Sequence, residues 1–397
     1  MSVNVSTRRQ FLRGVGSGTL GLTLSGTLHS PSYGSKRPQE LLVYVGTYTT
    51  GKSEGIYLYR MSLSSGELKH VTTIRGVVNP SFLTLDPERR YLYAVNEVTD
   101  FAGKPSGAVS AFAINRKTGK LQFLNQQPSL GGAPCYVTVD RTGGFLLVAN
   151  YDGGNVSVVS IERDGRLGGV TDADQHHGSS VDPVRQTGPH AHSIVLDQTN
   201  RYAYSCDLGT DKIMIYRFDS KKGKLTANKQ PWVQVKPGAG PRHFTFHPSG
   251  RYGYVMNELD ATVTAFTCDS ARGTLKETQT VHTLPEGFSG MNTTADIHVS
   301  PFGKFLYGSN RGHNSIVVFE IKERTGKLRF IQHAATEGRT PRNFAIDPTG
   351  TFLLAANQDS DTIVTFRLDQ ATGRLKPTGY VAEVPSPVCL KLTPPSL

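Results

Sequence analysis

The run GPRHFTFHPSGRYGYVMNE, residues 240–258, decides the fold. It opens on Pro241 and continues as a short segment in which Phe244 and Phe246 share one face. The run breaks at His247-Pro248-Ser249-Gly250, resumes as the aromatic-rich Tyr252-Gly253-Tyr254-Val255-Met256, and stops at Asn257. A period of two marks a strand buried on one side, and a Pro-x-Gly break between two such runs marks a tight turn. The same pattern recurs with turns that begin at Asp86, Asp140, Asp197, His247, Ser300 and Asp347, spaced 47 to 57 residues apart. The apolar pairs Leu83 and Leu85, Val137 and Val139, Ile194 and Leu196, Ile297 and Val299, and Phe344 and Ile346 repeat the first strand. The second strands end at Asn96, Asn150, Asp207, Asn257, Asn310 and Asn357, where a short polar side chain can bond backbone as a strand stops.

A repeat of this length, strand-rich throughout, is one four-stranded blade of a ring. Two half-units remain: Leu42-Val43-Tyr44-Val45-Gly46-Thr47-Tyr48 near the start matches a second strand, and Pro387-Val388-Cys389-Leu390-Lys391-Leu392 near the end matches an inner one. The expectation is an all-β, seven-bladed β-propeller closed by a C-terminal strand that joins the N-terminal blade. Such closure removes the open sheet edges that an unclosed array would expose.

The domain reading is a signal segment and linker over 1–38 and a propeller over 39–397. Arg8-Arg9 followed by the bland, Gly-rich run 14–28 has the form of a twin-arginine export signal, which predicts a periplasmic or secreted body. That run is too short and too polar for a membrane span, which needs about 20 apolar residues. Five basic residues and no acidic ones precede position 38, and setting those five aside leaves +6 of the formal +11. The remaining Lys and Arg are scattered among turns, without the basic stripe and stacking aromatics of a nucleic-acid binder. A basic channel that attracts an anionic small molecule is the better use of the charge. Cys135, Cys206, Cys268 and Cys389 lack zinc or redox spacing and read as small buried side chains. No cofactor motif is present, and no metal site is expected: four His between His176 and His192 have neither a helical spacing nor a Cys partner.

In this topology the residues that begin each first strand and follow each second strand meet at one mouth of the channel. The first set is Ser81, Cys135, His192, Arg242, Ala295, Arg342 and Val388; the second is Tyr48, Glu97, Tyr151, Leu208, Glu258, Arg311 and Gln358. A packing-only ring would repeat its residues, whereas these differ from blade to blade. Arginine forks hold anions and stabilise oxyanions, and His or Glu can move a proton. The expected catalytic group is His190, His192, Arg242, Glu258 and Arg311. Arg185, His243, His313, Arg342 and Glu97 are expected to bind substrate. An ion pair of Arg242 with Glu258 at a strand end is the bland alternative.

The segments Gly46-Thr47-Tyr48-Thr49, Asn79-Pro80-Ser81-Phe82-Leu83, Gly240-Pro241-Arg242-His243, Asn257-Glu258-Leu259-Asp260, Ser309-Asn310-Arg311-Gly312-His313 and Pro341-Arg342-Asn343-Phe344 resemble the seven-bladed lactonase family over about residues 41 to 393. That family includes the propeller 6-phosphogluconolactonases and the fungal carboxymuconate lactonizing enzymes. The resemblance implies a hydrolase that opens a sugar lactone, with His190 or His192, Arg242, Glu258 and Arg311 at its centre. A lactone-forming cycloisomerase and a non-catalytic periplasmic binding propeller are the alternatives. Pro134-Cys135-Tyr136 departs from the Pro-Cys-His of the family pattern, and an exported enzyme points to an unphosphorylated aldonolactone as readily as to a phosphorylated one. A monomer that needs no partner is expected.

Overall fold

Five of the six complete hairpins close where they do because the side chain of the turn's first residue ties down the strand that follows. Asp86 Oδ1 accepts the backbone N–H groups of Arg90 and Tyr91, both at 2.6 Å, and Asp347 Oδ1 accepts those of Thr351 and Phe352 at 2.8 and 2.6 Å. The turn's fourth residue is left-handed, as at Gly350 (φ 67), a backbone that glycine adopts without the clash a Cβ would bring.

In the computed structural model, which describes residues 39–395, these hairpins form the inner halves of seven four-stranded antiparallel sheets. The inner strands are Pro387–Thr393 in blade 1, then Leu83–Leu85, Pro134–Val139, Ala191–Leu196, Pro241–Phe246, Thr293–Val299 and Pro341–Ile346 in blades 2 to 7. Each inner strand touches the next in cyclic order, so the sheets stand as blades around a channel. The predicted closure is present: Pro387–Thr393 pairs antiparallel with Glu40–Thr47, with Val43 opposite Leu392 and Val45 opposite Leu390. The expected segment 1–38 lies outside the described residues. Among those described, no helix is long and apolar enough to cross a membrane.

The core lies between blades, where large side chains of one sheet face those of the next. Tyr204 of blade 4 stacks on Phe244 of blade 5 with ring centroids 5.8 Å apart. Gly165 shows how close the blades approach: a Cβ there would lie 2.2 Å from the Tyr91 ring of the preceding blade, and its carbonyl accepts Tyr93 Oη at 3.1 Å. The ring of terminal Asn side chains is structural, as expected. Asn96, Asn310 and Asn357 donate to the carbonyls of Val78, Thr283 and Thr336, on the chain that enters each blade, at 2.7, 2.9 and 3.1 Å. All four cysteines are free thiols.

Candidate active site

At the start of the inner strand the pairing slips by one residue in blade after blade. Pro134 opposite Asn150 is followed by Tyr136 opposite Ala149, Pro241 opposite Asn257 by His243 opposite Met256, and Pro341 opposite Asn357 by Asn343 opposite Ala356. Blade 4 does the same around His192. Each slip is a β-bulge, which breaks the alternation of faces and re-aims one side chain. The re-aimed residues are Cys135, His192, Arg242 and Arg342. Proline suits the position before the bulge in three of these blades because it has no N–H to leave unpaired.

The residue preceding that proline is left-handed, at Ala133 (φ 49), Gly240 (φ 65) and Thr340 (φ 57). Its carbonyl accepts the N–H of the residue that follows the second strand: Tyr151 from Ala133 at 2.9 Å, Glu258 from Gly240 at 2.7 Å and Gln358 from Thr340 at 2.9 Å. Two rings of side chains are thereby registered at one mouth, one on bulges and one on strand ends.

Glu258 is the hub of this mouth. Its Oε2 lies 2.9 Å from Arg242 Nε, 3.0 Å from Arg311 Nη2 and 3.9 Å from His192 Nε2, and its Oε1 accepts Arg185 Nη2 at 2.8 Å. Glu258, Arg242 and His192 are buried, at 4%, 2% and 5% exposure, so these charges meet in a low-dielectric setting where water screens them little. Arg242 Nε approaches the carboxylate off the line of its N–H, and the Nε–H groups of Arg242 and Arg311 have no hydrogen-bond partner among the described residues. Guanidinium donors are therefore in excess of the acceptors around them.

Burial alone would raise the Glu258 carboxyl, but the guanidinium groups of Arg311, Arg242 and Arg185 bring it down to about 2. Burial, and after it the charge of Arg242, holds the His192 imidazole well below the ordinary histidine value of 6.5. At neutral pH the mouth thus presents a permanent carboxylate beside a neutral imidazole. Across from them, Glu97 accepts Tyr48 Oη at 2.9 and 3.0 Å and also Ser81 Oγ, and Arg342 Nη2 donates to Tyr48 Oη at 2.9 Å. The space between the two groups is a cavity of about 280 Å³ that includes Cys135, Tyr151 and Thr293 in its wall. Below it the channel narrows between Arg242, His243 and Phe82.

The structure brings together His192, Glu258, Arg311, Arg185, Arg342 and Glu97 around this cavity, and Arg242, in the constriction beneath, joins them through Glu258. It does not bring in three others. His190 stacks behind Tyr151, with ring centroids 4.4 Å apart, and its Nδ1 lies 3.0 Å from the Tyr151 carbonyl. The bulge falls at His192, so His190 ends up one layer behind the wall. His313 belongs to the hairpin turn beyond Arg311, where its Nδ1 meets Ser315 Oγ at 2.7 Å. His243 lines only the constriction beneath, with its Nδ1 2.8 Å from Asp296 Oδ1. Leu208 is buried rather than displayed at the mouth.

Tyr151 was visible in the sequence only as a strand-end residue; here its hydroxyl accepts Arg185 Nη2 at 3.0 Å. Cys135, placed at the mouth by its repeat position but read as a small buried side chain, lies in the cavity wall with Sγ 3.6 Å from His192 Nδ1. Arg185 comes from the long loop of blade 4, which buried Gln186 holds: Gln186 Nε2 donates to Leu208 O and Asp211 Oδ1, both at 2.8 Å. His176 in that loop is a structural group, clasped between Asp207 Oδ2 at 2.6 Å and Tyr216 Oη at 2.9 Å.

A ring of seven blades with a polar, arginine-rich mouth defines a propeller whose channel end suits a small, oxygen-rich molecule. The chain belongs to the lactonase family of seven-bladed β-propellers, whose model matches residues 42–392. The 6-phosphogluconolactonase of Bacillus subtilis is 37% identical over 301 residues, covering 76% of this chain and 83% of that protein. The 6-phosphogluconolactonase of Formosa agariphila is 38% identical over 307 residues, covering 76% and 85%. Among solved structures, the periplasmic gluconolactonase of Pseudomonas aeruginosa is similar with a TM-score of 0.84 and 36% identity, covering 89% of this chain and 99% of that one.

Proposed function

We propose that the chain is a carboxylic ester hydrolase that opens a sugar-type lactone in the 280 Å³ cavity at the Glu258 mouth. The observation that carries this reading is the pairing of an ionised, three-arginine-bound Glu258 with a neutral His192, 3.9 Å apart. Two acceptors at that separation can each take one proton of a single water held at ordinary hydrogen-bond distance. His192 Nε2 removes one proton as the water oxygen bonds the lactone carbonyl carbon, while Glu258 orients the other. The negative charge that develops on the carbonyl oxygen is met by the guanidinium groups of Arg242 and Arg311, preorganised donors of the kind that stabilise tetrahedral intermediates. Collapse breaks the bond to the ring oxygen, which takes the proton from His192 and leaves as the hydroxyl of an open-chain hydroxy acid. Arg185, Arg342 and Glu97 hold the rest of the sugar. A binding propeller would fit an uncharged mouth with Arg242 and Glu258 paired only to each other; here the carboxylate is shared among three arginines.

The substrate reading is a six-carbon aldonolactone, free or phosphorylated. Similarity to a periplasmic gluconolactonase, together with Arg8-Arg9 in a signal-like segment, supports export by the twin-arginine route to the periplasm and a propeller that begins near residue 39. A ring closed on itself supports a monomer. The test is acid release from glucono-δ-lactone and from its 6-phosphate above the spontaneous rate. Wild type is expected to accelerate at least one of them, and Arg242→Ala to lose about 10²- to 10³-fold, the cost of one oxyanion donor. No acceleration of either lactone by wild type would overturn the reading.

A further inference from the structure

Beneath the cavity floor a line of buried side chains runs from Arg242 across the channel. Arg242 Nη1 donates to the Ala295 carbonyl at 2.7 Å and lies 3.2 Å from His243 Nε2. His243 Nδ1 is 2.8 Å from Asp296 Oδ1. The other carboxylate oxygen, Oδ2, meets His298 Nε2 at 2.8 Å and Asn343 Nδ2 at 2.5 Å. Arg242, His243 and Asp296 are all buried. Arginine has only donors, so the imidazole nitrogen that faces it must offer a lone pair; an ionised carboxylate has only acceptors, so the nitrogen that faces it must carry the proton. The two constraints select a single tautomer, Nδ1–H with Nε2 free.

We propose that Asp296 is a positioning residue for the reaction: it locks His243 in the one tautomer that accepts from Arg242, and so fixes the guanidinium in the cavity floor. The kinetic consequence rests on the lactonase reading, while the tautomer does not. Burial and the Arg242 charge lower His243 to about 4, so the ring stays neutral across the working range, and the ionised Asp296 is held well below the carboxylate range by its two His partners despite its burial. Asp296 also has a structural tie, because Asn343 Oδ1 accepts the Leu390 N–H of the closing strand at 2.8 Å. A purely structural role predicts lost stability in any Asp296 variant and no dependence on the chemistry at His243.

Asp296→Asn separates the two. Because Oδ1 also accepts the Ile297 N–H at 2.9 Å and Oδ2 the Asn343 amide, an Asn side chain sets a donor against a donor in either orientation; turned with its N–H toward His243, it moves the imidazole proton to Nε2 and opposes Arg242. The expected result is a roughly 10- to 100-fold fall in kcat with little change in KM, by analogy with the loss seen when a partner that orients a metal-binding side chain is removed. Adding His243→Gln to Asp296→Asn puts a rotatable amide, whose oxygen can face Arg242, in place of that donor, and is expected to recover at least fivefold. Nitrogen-15 NMR is expected to place the His243 proton on Nδ1 in wild type and on Nε2 in Asp296→Asn. A wild-type kcat in Asp296→Asn, a double variant no better than the single one, or wild-type His243 protonated on Nε2 would each overturn the proposal. Should Asp296→Asn not fold, His243→Gln is expected to keep at least tenfold more activity than His243→Leu, and equal losses would count against it. If wild type hydrolyses no lactone, the functional reading fails by itself and the NMR measurement still decides this one.

Discussion

Glu258 and His192 set the working range of the site through opposite responses to the same arginines. A nearby guanidinium favours the charged carboxylate and disfavours the charged imidazole, and burial adds to the second effect while opposing the first. In the proposed reaction His192 acts in its unprotonated form, and its folded value lies well below 6.5, so the active form persists as pH falls through neutrality. With Glu258 at about 2, the carboxylate stays ionised over the same range. The expected profile of kcat/KM, corrected for spontaneous hydrolysis, is flat from pH 8 down through 6.5, with its acid limb below that point. An acid limb at or above 6.5 would show that another group is the base. Much of this residue-level picture is legible in the sequence, because Glu258, Arg311 and Arg342 occupy repeat positions where packing residues would otherwise recur. The choice between His190 and His192 is not legible, since the two share an exposed-polar pattern and only the bulge decides which one faces the cavity.

The bulge is the element that converts a packing strand into a display strand, and the long loop of blade 4 is the element that covers it. Asp182 Oδ1 accepts the N–H groups of Val184 and Arg185 at 2.9 Å each, and Gln186, fully buried, pins the following residues to Leu208 and Asp211. Arg185 therefore reaches Glu258 from a loop that the Gln186 amide ties down immediately beside it. Gln186→Ala leaves the Leu208 carbonyl and Asp211 short of a donor, at about 1–3 kcal/mol for buried groups left unmade. A KM about tenfold higher, with kcat within about threefold of wild type, is the expected outcome of steady-state kinetics, because in the proposed reaction Arg185 holds substrate at the rim while Arg242 and Arg311 meet the developing charge. An equal fall in kcat with unchanged KM would place Arg185 in the chemistry instead. In the sequence this loop shows as a segment rich in His that also carries Arg185, expected there to bind substrate; its cavity side chain is that arginine, and histidines within it, such as His176, serve the loop itself.

At the scale of the molecule, ring closure ties the last strand to the first, and every blade is buried on both faces by its neighbours. Removing residues 386–397 deletes the inner strand of blade 1 and exposes the edge of Glu40–Thr47 along with the flanks of blades 2 and 7. Thermal unfolding of that truncation is expected to lose its cooperative transition or to shift its midpoint down by more than about 10 °C, since each kcal/mol lost moves a chain of ordinary domain size by a few degrees. A midpoint equal to wild type would refute the role of closure. The sequence by itself determined the blade count, the composite closure and the mouth where unlike residues collect, because strand periodicity, turn chemistry and repeat length are local signals that recur in six complete copies and two complementary half-units. Only the tertiary structure decided which of those residues share a cavity, that one carboxylate serves three arginines, and that Asp296 stands behind Arg242. Most of those relations join side chains from different blades, more than 50 residues apart in the case of Arg242 and Asp296, and their distances depend on how neighbouring blades pack.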